Sequence, residues 1–127
     1  MEIGTSYTIE KIVENEHTAH HYGSGSVFVY ATPCMILHME MAASLAVAPL
    51  LQEGITTVGT VVNIEHLAAT PVGMKIKATA VLKEIDERRL VFIVEAYDEK
   101  GIIGRGTHER FIINTAKFME RTNAKLQ

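Results

Sequence analysis

From Tyr30 to Leu50 the chain reads YATPCMILHMEMAASLAVAPL. Met, Ile, Leu, Ala and Val fall on every face of a helix built from this stretch, which predicts a helix buried all round. Thr32 is a good N-cap, Pro33 suits the first helical position, and Pro49 stops the run. The 17 residues from Pro33 to Pro49 are too few, and too interrupted, to span a bilayer. Only His38, Glu40 and Ser44 break the apolar run. His38 and Glu40 project about 200° apart, so they do not face each other on one helix.

Elsewhere the dominant period is two. Residues 5–13 carry Tyr7, Ile9 and Val13 in rough alternation and predict a strand. Residues 57–67 alternate through Val58, Val62 and Ile64 and end near His66. Residues 74–85 set Met74, Ile76, Ala78 and Ala80 on one side and Lys75, Lys77 and Thr79 on the other. Residues 89–98 and 102–114 read as two more long strands. Tight turns are predicted at 68–73, 86–88 and 99–101. Residues 15–26, with His17, His20 and His21 ahead of a Gly/Ser run, read as a flexible loop. No cysteine or carboxylate there completes a metal-ligand spacing. The tail, 115–127, reads as a short helix. One apolar helix followed by meandering strands predicts an α+β fold, an antiparallel sheet wrapped around the helix.

Composition narrows the function classes. A length of 127 residues predicts a single domain over 1–127, and 47% hydrophobic residues can fill a core. A net charge of -3 with no Lys/Arg block argues against nucleic acid as a partner. One cysteine, Cys34, cannot form an internal disulfide, which suits a reducing compartment. The first residues show no apolar signal segment, so a soluble cytoplasmic protein is expected.

Several residues could carry chemistry. Burying the Glu40 carboxylate costs several kcal/mol unless something compensates, so it is either a rim residue reaching solvent or an acid with a tuned pKa. His66 sits at a strand end, where site residues gather, or is simply exposed there. Thr32 can cap the helix, yet free N–H groups at a helix start also favour an oxyanion. Thr32 and Glu40 lie about 12 Å apart along a continuous helix. One substrate meets both only if the first turn is unwound or if they come from different subunits. His108 and Arg110 share a strand face, as an edge device or as partners for a buried acid. Gly59, inside a strand, marks a bulge or a close approach.

Three stretches, ATPCMILHMEMA, VGTVVNIEHLAATPVG and GRGTHERFIINTAKF, together resemble the fluoroacetyl-CoA thioesterase family of single-hotdog proteins. The resemblance runs from about Ala31 to Phe118. It implies a hotdog fold and a catalytic threonine, glutamate and histidine at Thr32, Glu40 and His66. It implies substrate contacts at Gly59 and Arg110, and a homodimer with its active site near the interface. Where the fluoroacetate-specific member carries a lid rich in Phe and Pro, this chain has YGSGSVFVY, with Phe28. Pro33 follows Thr32 where the family tolerates glycine.

The expected activity is hydrolysis of a short-chain acyl-CoA thioester to the acid and CoA, with no metal and no bound cofactor. Met35, Met39 and Val62 are expected to line a small pocket. A non-catalytic acyl-CoA or acyl-thioester binding module is the alternative, since fold does not fix function. Enoyl-CoA hydration lacks the paired Asp/His pattern it would need. No membrane partner is expected.

Overall fold

The computed structural model describes residues 1–127. Strand β1 (Ser6–Ile12) leads into a 3-10 turn (Asn15–His17), a one-turn helix α1 (Ala19–Tyr22) and the long helix α2 (Thr32–Val47). Strands β2 (Ile55–His66), β3 (Lys75–Asp86), β4 (Arg89–Asp98) and β5 (Gly101–Asn114) follow, and helix α3 (Thr115–Asn123) closes the chain. All five strands form one antiparallel sheet in the order β1-β3-β4-β5-β2, so β1 and β2 are its edges. The expected helix-wrapping sheet is present.

Alternation sets the core. Ile76, Ala78, Ala80 and Leu82 of β3 and Leu90, Phe92, Val94 and Ala96 of β4 turn inward and are fully buried. Against them α2 lays Cys34, Met35, His38, Met39, Ala42, Ala43, Ala46 and Val47. Steps of four residues make these a single stripe, and α2 packs chiefly on β3 and β1.

Burial on every face of α2 is not what one chain provides. Leu37 and Leu45 remain 46% and 42% exposed, and Ile36, Glu40, Met41 and Ser44 are only half-buried. With its 3-10 extension to Leu50, α2 is long and apolar enough to cross a membrane by length and composition, contrary to the sequence expectation. Its packed stripe is that of a core helix.

The expected flexible loop over 15–26 is largely ordered. Glu14 and His17 cap the 3-10 turn reciprocally, and the Thr18 side chain accepts the His21 N–H at the start of α1. Capping by polar side chains, rather than apolar periodicity, builds this segment. Pro49 falls inside the 3-10 turn that follows α2, which itself ends at Val47.

Candidate active site

Thr32 is not the N-cap of α2. Ala31, in extended conformation, occupies that position with no side-chain bond, and Thr32 is the first helical residue. Its hydroxyl is thereby free to meet His66 at the end of β2, with Oγ1 2.7 Å from Nδ1. The other imidazole nitrogen, Nε2, is buried and finds no hydrogen-bond partner in the chain. Buried polar atoms are rarely left so, and this one is free to meet a water or a substrate. Burial lowers the pKa of His66, with the Ala68 backbone opposing, so the ring is neutral at pH 7.

A cavity of about 420 Å³ opens beside this pair. Its wall includes Ala19, Gly25, Val27, Val29, Tyr30 and Ala68, a mostly apolar lining that suits an acyl chain. Met35 and Met39 do not line it. Both are sealed on the core stripe of α2. Val62 lies exposed on the β2 edge instead.

Glu40 joins a second cluster, two turns further along α2. It is half-buried, not enclosed in apolar surroundings. Its Oε2, His108 Cε1 and Arg110 Nη1 all converge on Gly59. A Cβ at Gly59 would stand 3.7, 3.2 and 3.3 Å from these atoms. The missing side chain keeps the space between them open. The expected bulge is also present, a register shift between Gly59 and Val61 that leaves Thr60 as the extra residue.

Arg110 is 8% exposed and is held by Thr57. Its Nε donates to Thr57 Oγ1 at 2.8 Å and its Nη2 to the Thr57 carbonyl at 3.0 Å. The chain's ion pairs all use other cations, Lys75, Lys77 and Arg89. Glu40 is close enough to favour the guanidinium charge, against the effect of burial, without forming a close pair. A buried cation without an ion-pair partner is costly, and its field is available to a ligand.

Within one chain the five expected site residues therefore divide. Thr32 and His66 form one pair. Glu40, Gly59 and Arg110 form another cluster, to which His108 and Thr57 belong although the resemblance did not indicate them. The alternation of Arg110 with His108 on one strand face was the available signal for His108. Thr57 gave none, because its partnership depends on the β2–β5 register.

The three histidines of the N-terminal segment separate as well. His20 stacks on Phe28 with centroids 4.4 Å apart, and His21 sets its edge to Tyr22. His17 instead joins Cys34 and His38, one donor atom from each lying within 4.8 Å of the others. This set suits a metal poorly. His17 Nδ1 accepts the Glu14 N–H at 2.9 Å, which places the proton of the neutral ring on Nε2, so neither nitrogen offers a free lone pair.

Comparison with known proteins agrees with this architecture. The family model for fluoroacetyl-CoA-specific thioesterases matches residues 13–116. A fluoroacetyl-CoA thioesterase of Streptantibioticus cattleyicolor is 37% identical over 131 residues, covering 98% of this chain and 94% of that protein. A solved structure of the fluoroacetyl-CoA thioesterase superposes with a TM-score of 0.90 at 37% identity, covering 98% of this chain and 97% of that one. A thioesterase-superfamily protein of Thermus thermophilus gives 0.89 at 35% identity, with 98% and 92% covered. A hot-dog-like protein of Thermanaerovibrio acidaminovorans, 21% identical with a TM-score of 0.92, shares the fold. By sequence and by structure this chain belongs to the fluoroacetyl-CoA-specific thioesterase family, a group of hotdog thioester hydrolases.

Proposed function

We propose that the chain hydrolyses short-chain acyl-CoA thioesters to the carboxylic acid and free CoA. It works as a cytoplasmic homodimer whose sites combine Glu40 of one protomer with Thr32 and His66 of the other. The observation that carries this is the division of the site. Gly59 and His66 are seven residues apart on β2, about 23 Å of extended chain. Edge strand β2 is unpaired on one side and exposes Val61 and Val62. An antiparallel β2–β2 pairing with its twofold axis between Val62 and Asn63 sets Gly59 opposite His66 of the partner subunit. Two half-sites then become one, and the β2 edge of each protomer is covered.

The chemistry follows from the groups so joined. Glu40 attacks the thioester carbonyl or orients the water that does, next to the Arg110 charge. His66 is the general base and proton shuttle. In the tautomer this requires, Nδ1–H donates to Thr32 Oγ1 and Nε2 is the free base that later returns a proton to the departing sulfur. First-turn N–H groups of α2 lie beside Thr32, and with the strand backbone at Gly59 they can take the developing oxyanion. The cavity walled by Ala19, Val27, Val29 and Ala68 takes the acyl chain. A single thiol, Cys34, buried and free, fits a reducing compartment.

The test is complementation, read by release of free thiol from acetyl-, fluoroacetyl-, propionyl- and longer acyl-CoAs. Glu40→Gln and His66→Ala are each expected to lower turnover at least about tenfold while folding normally. Mixing the two variants under exchange regenerates one intact site in each heterodimer, restoring up to about a quarter of wild-type activity. Wild-type rates in both single variants would sink the mechanism. No restoration on mixing would sink the shared site. Tight CoA binding with no thiol release would make the chain a binding module instead.

A further inference from the structure

His108 has no exposed surface and lies between the bulged strand β2 and the Arg110 guanidinium. Its Nδ1 is 2.7 Å from the Val61 carbonyl oxygen, which can only accept. Its Nε2 is 3.2 Å from Arg110 Nη1, which can only donate. Two neighbours of fixed polarity leave one tautomer, with the proton on Nδ1 and a lone pair on Nε2. The neutral ring is also what the setting favours, since burial and then the Arg110 charge resist protonation.

Thr57 occupies the Nε and Nη2 side of the guanidinium. With His108 on Nη1, three of the five N–H donors are fixed and two remain for a ligand. A carboxylate in place of His108 would hold the fork equally well but would also neutralise it. A neutral acceptor holds the fork without adding a second counter-charge to that of Glu40, which also points into the gap at Gly59.

We propose that His108 is a positioning residue for the hydrolysis, a neutral acceptor that aims the Arg110 guanidinium at the thioester carbonyl while its other nitrogen pins the β2 bulge. The proposal rests on Arg110 contacting substrate. The two ring nitrogens do different work, and side chains of different reach separate them. Glutamine at 108 can place an amide oxygen where Nε2 stood and gives up the Nδ1 bond. Methionine has nearly the same size and shape and supplies no comparable acceptor. Asparagine reaches only the Nδ1 position, keeping the bond to Val61 and losing Arg110.

Steady-state kcat and KM for acetyl-CoA are measured for His108→Gln, His108→Met, His108→Asn, Arg110→Gln and the double variant His108→Met with Arg110→Gln. Thermal melts accompany them. His108→Gln should stay within about threefold of wild-type kcat, and His108→Met and His108→Asn should fall about tenfold, the loss of one bond to a charged group. Adding His108→Met to Arg110→Gln should lower kcat no further, because His108 acts through Arg110. Equal turnover in the size-matched Gln and Met variants, at whatever level, overturns the positioning role, as does a further drop in the double variant. Unchanged turnover in Arg110→Gln alone overturns instead the substrate contact on which the proposal rests.

Discussion

Gly59→Ala adds one methyl group at the point where the second cluster converges. The new carbon would sit 3.2 Å from His108 Cε1 and 3.3 Å from Arg110 Nη1. Carbon contacts prefer about 3.5 to 4.0 Å, so roughly 0.3 to 0.4 Å must be found. Neither neighbour swings away easily, because the Val61 carbonyl holds the imidazole and both Thr57 oxygens hold the guanidinium. The shift therefore falls on the orientation of Arg110 toward Glu40. A misplacement of 1 Å costs about 10²-fold in rate, so about 0.35 Å costs roughly fivefold, near 1 kcal/mol. Stability should hardly change. Gly59 is not among the glycines with positive φ, and the loss of unfolded-state freedom returns about 0.4 to 1 kcal/mol against the tight contact. The expected result is kcat/KM for acetyl-CoA down about fivefold, by thiol release, with an unchanged melting temperature. Wild-type kcat/KM in a folded Gly59→Ala protein would show that the gap has no part in the reaction.

The same substitution elsewhere should do the opposite. Gly106→Ala puts a Cβ 2.0 Å from the Asn63 carbonyl oxygen and 2.8 Å from Ile64 Cα, both backbone, so β2 must part from β5. A loss of at least about 3 kcal/mol is expected, lowering the melting temperature by roughly 10 °C or more. Gly104→Ala meets only the flexible Met35 thioether at comparable range and should be milder. Acid should weaken the fold through His38, whose pKa burial lowers to about 4, with His17 and Lys11 adding to the effect. Between about 6.5 and 4 the unfolded chain binds a proton that the folded one refuses. Stability from this group is complete above 6.5 and falls as pH drops to about 4. The full difference is about 3 kcal/mol, which solvent around the half-exposed His17 trims to roughly 2. Urea unfolding at pH 7 and pH 4.5 should show a smaller loss in His38→Gln than in wild type.

Strand positions and the helix were legible in the sequence because both rest on local patterns. Ile76, Ala78 and Ala80 alternate, and they line the core as alternation requires. The ordered segment around His17 was not legible, since the Glu14–His17 and Thr18–His21 caps carry no apolar period. Thr32 departs from the expected capping role for a physical reason. A hydroxyl before proline looks like a cap, but the extended backbone of Ala31 begins the helix one residue earlier and turns that hydroxyl toward His66. The Thr57–Arg110 and His108–Val61 bonds depend on the β2–β5 register and its bulge, which no single-strand pattern contains.

The all-round apolar character of residues 33–49 remains to be explained, since one chain covers only one stripe of it. Natural helices rarely carry Leu37, Met41 and Leu45 on a solvated face without a partner for them. The molecule also presents a bare strand edge with Val61 and Val62. Covering the helix face alone would leave the strand's N–H and C=O groups to water, and extending the sheet alone would leave the leucines exposed. The proposed pairing of two copies through β2 would serve both needs, and it would also set Glu40 near His66 of the partner subunit. On this account the helix composition, the unpaired edge and the division of the proposed site residues have one cause.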